Sequence, residues 1–112
     1  MEFILLELDE DRMLRDNIIN LDSAKKVIND TFKKYHCFVY KNEENVNIWT
    51  RHFNDDKDYE ILWEIQAAFR RESWFRYYVK RWEYLETDDA ITNIIIREDI
   101  IEDWATPRPD KP

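Results

Sequence analysis

His36, Cys37 and His52 are the soft metal ligands of this chain and the groups that titrate nearest to neutrality. Two histidines brought together by a hairpin would form a general acid and base pair able to cleave RNA, or two corners of a metal site. Their spacing matches no zinc pattern, and nothing in the sequence fixes a third or fourth ligand. Structural or surface histidines are the simpler expectation. Cys37, in a β-prone segment, reads as a small core residue rather than a nucleophile, and as a lone cysteine it permits no intramolecular disulfide.

Carboxylates are far more numerous. Glu43 with Glu44, Asp55 with Asp56, Asp88 with Asp89, and Glu102 with Asp103 are adjacent pairs. Paired-carboxylate catalysis needs two acids in unlike environments inside a cleft, which adjacency does not supply. Solvated faces, loops and helix caps account for most of them. A calcium loop of the EF-hand type requires a glycine that no acidic stretch contains. Arg70, Arg71, Arg76, Lys80 and Arg81 lie among Trp74, Phe75, Tyr77, Tyr78 and Trp82, the one stretch that looks like a nucleic-acid surface. At helical spacing, however, Phe75, Tyr78, Val79 and Trp82 form a buried stripe, and acidity elsewhere opposes phosphate. Direct nucleic-acid binding is therefore not expected.

Acid combined with aromatic is the remaining constellation. Tryptophan and tyrosine anchor protein interfaces, and carboxylates pair with the lysines and arginines of a basic partner. The residues this assigns to partner binding are Asp9, Glu10, Asp11, Trp49, Asp55, Asp56, Asp58, Glu98, Asp99, Glu102, Asp103 and Trp104.

Composition narrows the classes further. None of the 112 residues is glycine, where average usage of about 7% would give roughly eight. Phosphate loops, dinucleotide turns and nucleophile elbows depend on glycine, so most nucleotide and acyl-transfer sites are excluded. No catalytic motif is present and no cofactor or metal is implied; the chain reads as a non-enzyme. The net charge of −8 is uneven: residues 1–22 carry seven acids against two bases, residues 86–112 eight against three, and the middle ten against twelve. Both ends are acidic and the centre is mildly basic. Such a field repels nucleic acid and attracts cationic proteins. No apolar run approaches the length of a membrane span, and the acidic N-terminal region has the wrong charge for a secretory signal, so a cytoplasmic protein is expected.

The elements that must position these residues follow from periodicity. Residues 2–8 fit a buried strand or an opening helical turn, and 13–19 a short helix. From an N-cap at Asp22 or Ser23, the spacing of Ala24, Val27, Ile28, Phe32 and Tyr35 predicts a helix. Residues 37–40 and 46–53 read as a β-hairpin whose turn, lacking glycine, places Asn42 or Asn45 at positive φ. The stripe from Ile61 through Phe69 to Leu85 predicts one long helix, or two meeting near 71–73. Thr87 would cap a last element over which Ile91, Ile94, Ile95, Ile101 and Trp104 suit a helix face, although 94–96 is β-branched enough to pair as a strand. The sum is an α+β, helix-rich single domain over 1–104 with a small antiparallel β-hairpin or short sheet, followed by a proline-containing tail, 105–112.

In size, charge and lack of a catalytic motif the chain is similar to small immunity proteins, which protect bacteria by occluding the active site of a cognate toxin nuclease. That resemblance and the acidic surface together imply a non-enzymatic inhibitor of a basic protein, a toxin nuclease above all. Two other readings stand beside it: a viral mimic of DNA that uses the same acids to occupy a host DNA-binding protein, and a small RNA-processing enzyme built on His36 and His52 with the bases from Arg70 to Arg81.

Overall fold

The computed structural model describes residues 1–43, 46–51, 56–88 and 90–101. His52, Asp55, Asp89, Glu102, Asp103, Trp104 and the tail 105–112 lie outside the described residues, as does Asn45 of the hairpin turn. In chain order the elements are β1 (Glu2–Leu8), α1 (Glu10–Asp16), α2 (Leu21–Lys34), β2 (Cys37–Glu43), β3 (Val46–Arg51), α3 (Asp56–Arg70), α4 (Phe75–Tyr78), β4 (Val79–Thr87) and β5 (Ile94–Asp99). Among the described residues no helix is long and apolar enough to cross a membrane.

A five-stranded sheet in the order β2-β3-β1-β4-β5, antiparallel throughout, organises the molecule. This overturns the expectation of a helix-rich domain with a small hairpin or short sheet: the helices are short, and β1, β4 and β5 extend the expected hairpin into a full layer. The local reasons are legible. Residues 79–87 look helical because Val79 and Trp82 are both buried at a spacing of three. In the structure that spacing comes from a bulge. Glu7 pairs with Arg81 and Leu8 with Val79, so Lys80 is the extra residue and the two apolar side chains return to one face. The last element is likewise a strand rather than a helix. Thr87 is not its cap; Asp88 holds the β4–β5 turn, its carboxylate accepting hydrogen bonds from the Thr92 backbone N–H (2.7 Å), the Thr92 hydroxyl and the Asn93 backbone N–H (3.4 Å) and side chain (3.3 Å).

The helices form where capping chemistry permits. The Asp9 carboxylate accepts from the Arg12 N–H at 3.2 Å and starts α1. Asn20 accepts from the Ser23 N–H at 3.0 Å and starts α2, just ahead of the expected Asp22 or Ser23. α2 and α3 then lay Ala24, Ile28, Phe32, Leu62, Ile65 and Phe69 onto one face of the sheet, against Ile4, Leu6, Trp49 and Trp82. Phe32 stacks on Trp49 at 4.2 Å with the rings 6° from parallel, and Phe69, Phe75 and Trp82 continue the aromatic column at 5.0–6.2 Å. The opposite face carries a smaller cluster of Phe3, Leu5, Val46 and Leu85, with Met1, Ile48 and Ile91 packed against it.

Candidate functional site

Strand direction decides where the acids go. β1 ends at Leu8 and hands the chain to α1; β5 lies antiparallel to β4, which is antiparallel to β1, so β5 also ends on that side. The register keeps the two acidic groups apart along the sheet: Asp99 is level with Glu83 and Leu5, and Glu98 with Tyr84 and Ile4, four and five residues short of Asp9. Only β4 separates β1 from β5, about 10 Å between strand axes, and the offset along the strands adds about 13–17 Å. Asp56 and Asp58 are not brought to the acids that follow β1. They sit at the start of α3, which follows β3 toward the opposite end and needs about 22 Å to climb back.

Neighbouring cations divide these carboxylates into engaged and free. Glu10 pairs with Lys25 at 2.9 Å, while the guanidinium of Arg12 bonds the Tyr77 carbonyl at 3.2 Å and lies 3.7 Å from Asp16. Asp99 accepts from the Ile101 N–H at 3.0 Å. Glu83, on the helix-free face of β4, is bridged by Arg97 at 2.7 Å and Arg81 at 2.8 Å. Partial burial pushes the Glu83 carboxyl up, but the hydrogen bonds and charges of Arg97 and Arg81 outweigh it and hold the pKa below its ordinary value. Among the described residues Asp11 and Glu98 are exposed and carry no hydrogen bond or ion pair.

The apolar part of the surface lies elsewhere than the sequence places it. Trp49 is 2% exposed and stacked on Phe32, so it belongs to the core and cannot anchor a partner. What is exposed is the edge strand β5, with Ile94, Ile95 and Ile96 at 50%, 64% and 42%. Ile94 also lines a shallow apolar groove of about 150 Å³ with Phe3, Tyr40, Ile48, Leu85 and Ile91. The signal for this surface was present in the sequence as three consecutive isoleucines, but a helical reading buried them. A second cavity of about 160 Å³, between α2 and β1, is lined by Leu6, Leu8, Glu10, Lys25, Asn29 and Asn47.

Of the histidine pair only His36 can be placed, because His52 lies outside the described residues. His36 is an exposed residue at the end of α2, with φ of 61°. Cys37 is buried beside it, its thiol 3.9 Å from the Tyr35 carbonyl. Among the described residues no three His, Cys, Asp or Glu side chains are grouped to hold a metal. The basic and aromatic stretch 70–81 splits into the end of α3, α4 and the start of β4, with Trp74, Phe75 and Tyr78 buried and Arg70, Arg71 and Lys80 exposed. The chain matches no family model, and no curated protein or solved structure resembles it significantly.

Proposed function

We propose that this chain is a non-enzymatic acidic binding protein that inhibits a basic partner, and that a toxin nuclease is the partner its chemistry fits best. The observation that supports this reading most is that Asp9, Glu10 and Asp11 follow the end of β1 while Glu98 and Asp99 lie on the outer strand β5, which runs the same way and exposes Ile94, Ile95 and Ile96 beside them. Carboxylates presented there take the places of substrate phosphates before the lysines and arginines of a nuclease, and the net charge of −8 steers the encounter. Occlusion of this kind uses binding alone and requires no group that turns over.

The test is retention of binding proteins from native lysate at low salt, release by a salt gradient, and a cleavage assay on what is released. One dominant basic protein whose nuclease activity stops at one equivalent of this chain is the expected result. A broad set of DNA-binding proteins would replace this reading with mimicry of DNA, and retention of nothing specific would overturn it.

A further inference from the structure

We infer that the outer edge of β5 is a strand-addition site for an extended segment carrying two adjacent Lys or Arg residues next to apolar ones. This rests on the proposed basic partner and specifies how it is held. β5 is the last strand of the sheet, and the Ile100 N–H donates to the Trp82 carbonyl at 2.9 Å. In an antiparallel ladder the hydrogen-bonding direction alternates residue by residue. Ile96, Glu98 and Ile100 therefore face β4, and Arg97 and Asp99 point their backbone N–H and C=O groups outward. No described residue bonds those outward groups.

The two edges of the sheet differ in protection. β2 carries a bulge at Tyr40 and a lysine beside it, two devices that discourage edge pairing. The β5 bulge falls at Ile95, between the pairs Glu86 with Ile96 and Thr87 with Ile94, so it leaves residues 96–99 in regular register. Among the described residues nothing bonds the outward backbone groups of that stretch, and the isoleucines that precede it are exposed.

Charge selects the occupant. Glu98 pairs with Tyr84 and so lies on the helix-covered face of the sheet; Asp99 pairs with Glu83 and lies on the other. A strand added here meets a carboxylate on each face at consecutive positions. The intervening cation, Arg97, is already held by Glu83 at 2.7 Å. The complement is a segment whose adjacent basic residues project to opposite faces over Glu98 and Asp99, with apolar residues meeting 94–96. Backbone bonds give such docking its affinity, and side chains on alternate faces give its specificity.

The experiment is hydrogen exchange of the full chain, followed by NMR, with an acetylated peptide Lys-Lys-Thr-Val-Thr-Val as probe and Glu-Glu-Thr-Val-Thr-Val as control. Antiparallel to β5, the first peptide lays its lysines over the two acids. The expected result is fast exchange of the Arg97 and Asp99 amides in the free protein and slowing of tenfold or more with the lysine peptide only. Arg97→Pro, which removes one outward N–H, should abolish peptide binding, whereas Arg97→Ala, which keeps it, should not. Protection by neither peptide overturns the docking site and leaves the inhibitor reading to its own test. Equal protection by both overturns the basic occupant and counts against the inhibitor reading. Amides already protected without peptide would overturn the proposal in favour of another occupant: a second copy if protection grows with protein concentration, the C-terminal segment of the chain if it does not.

Discussion

A chain without glycine must place its left-handed backbone on residues that pay sterically for it. Among the described residues these are Asn17, His36 and Ile91, with φ of 48°, 61° and 56°. Asn17 is a natural choice at the end of α1, since asparagine tolerates this region. The sequence reading assigned the role to Asn42 or Asn45, because a tight hairpin normally demands it; Asn42 instead lies within β2. His36 follows α2 and is exposed, so nothing but its backbone is at stake there. His36→Gly should raise stability by about 1 kcal/mol, or roughly 4 °C in Tm, measured by thermal unfolding. Ile91 is different: a β-branched residue at φ 56° is strained, but its side chain packs with Phe3 and Leu85 and the Asp88 clamp fixes its turn. At core positions chemistry was easier to foresee than conformation. Phe32 is fully buried, as the α2 periodicity predicted, and Phe32→Ala should cost about 3–5 kcal/mol in denaturant unfolding by opening a hole against Trp49 and Phe69.

At the scale of elements, α2 and the hairpin were readable because each carries its own local signal, a cap with a 3.6-residue stripe in one case and β-prone segments around a turn in the other. β4 was not, because its bulge imitates helical spacing and because Trp82 and Leu85 are buried on opposite faces of the sheet. β5 was not, because an isoleucine run fits either period. Its turn and its charges make it pH-sensitive. The Asp88 carboxyl is held below its ordinary pKa by the Thr92 hydroxyl and backbone N–H and by Asn93, against a small desolvation, and Glu83 is held low by its two arginines. Both groups bind protons less readily in the folded state. Their contribution to stability is present above the ordinary carboxylate range and fades as the pH falls through their depressed folded values. Asp88→Asn and Glu83→Gln should each flatten the fall of Tm over that acid range, and lower Tm at neutral pH, when unfolding is followed across a pH series.

At the scale of the whole molecule, the sequence foretold that both ends of the chain are acidic but not how the sheet would array the described acids. That arrangement depends on the sheet order, which no local pattern encodes: β1 sits in the centre, β5 two strands away, and the two run in the same direction. For the same reason Asp56 and Asp58, equal to the others as sequence, are separated from them. On the proposed inhibitor reading, Asp11 and Glu98, being exposed, are charges that speed the approach of a cationic partner. Replacing them as Asp11→Asn with Glu98→Gln should lower the association rate with a basic partner several-fold at low ionic strength and weaken its salt dependence, read by stopped-flow mixing over a salt series.

The central position of β1 also has a cost in time. Its partners are β3 and β4, and β4 ends at Thr87, so about 80 residues must be made after Leu8 before the second flank of the strand can be closed. At about 5–20 residues per second, synthesis keeps that edge waiting on the order of 4–16 s. Phe3, Ile4, Leu5 and Leu6, all buried in the finished sheet, form one of the most aggregation-prone stretches of the chain during that interval. Slowing translation between β3 and β4 should therefore cost yield of soluble protein even though no residue has been changed.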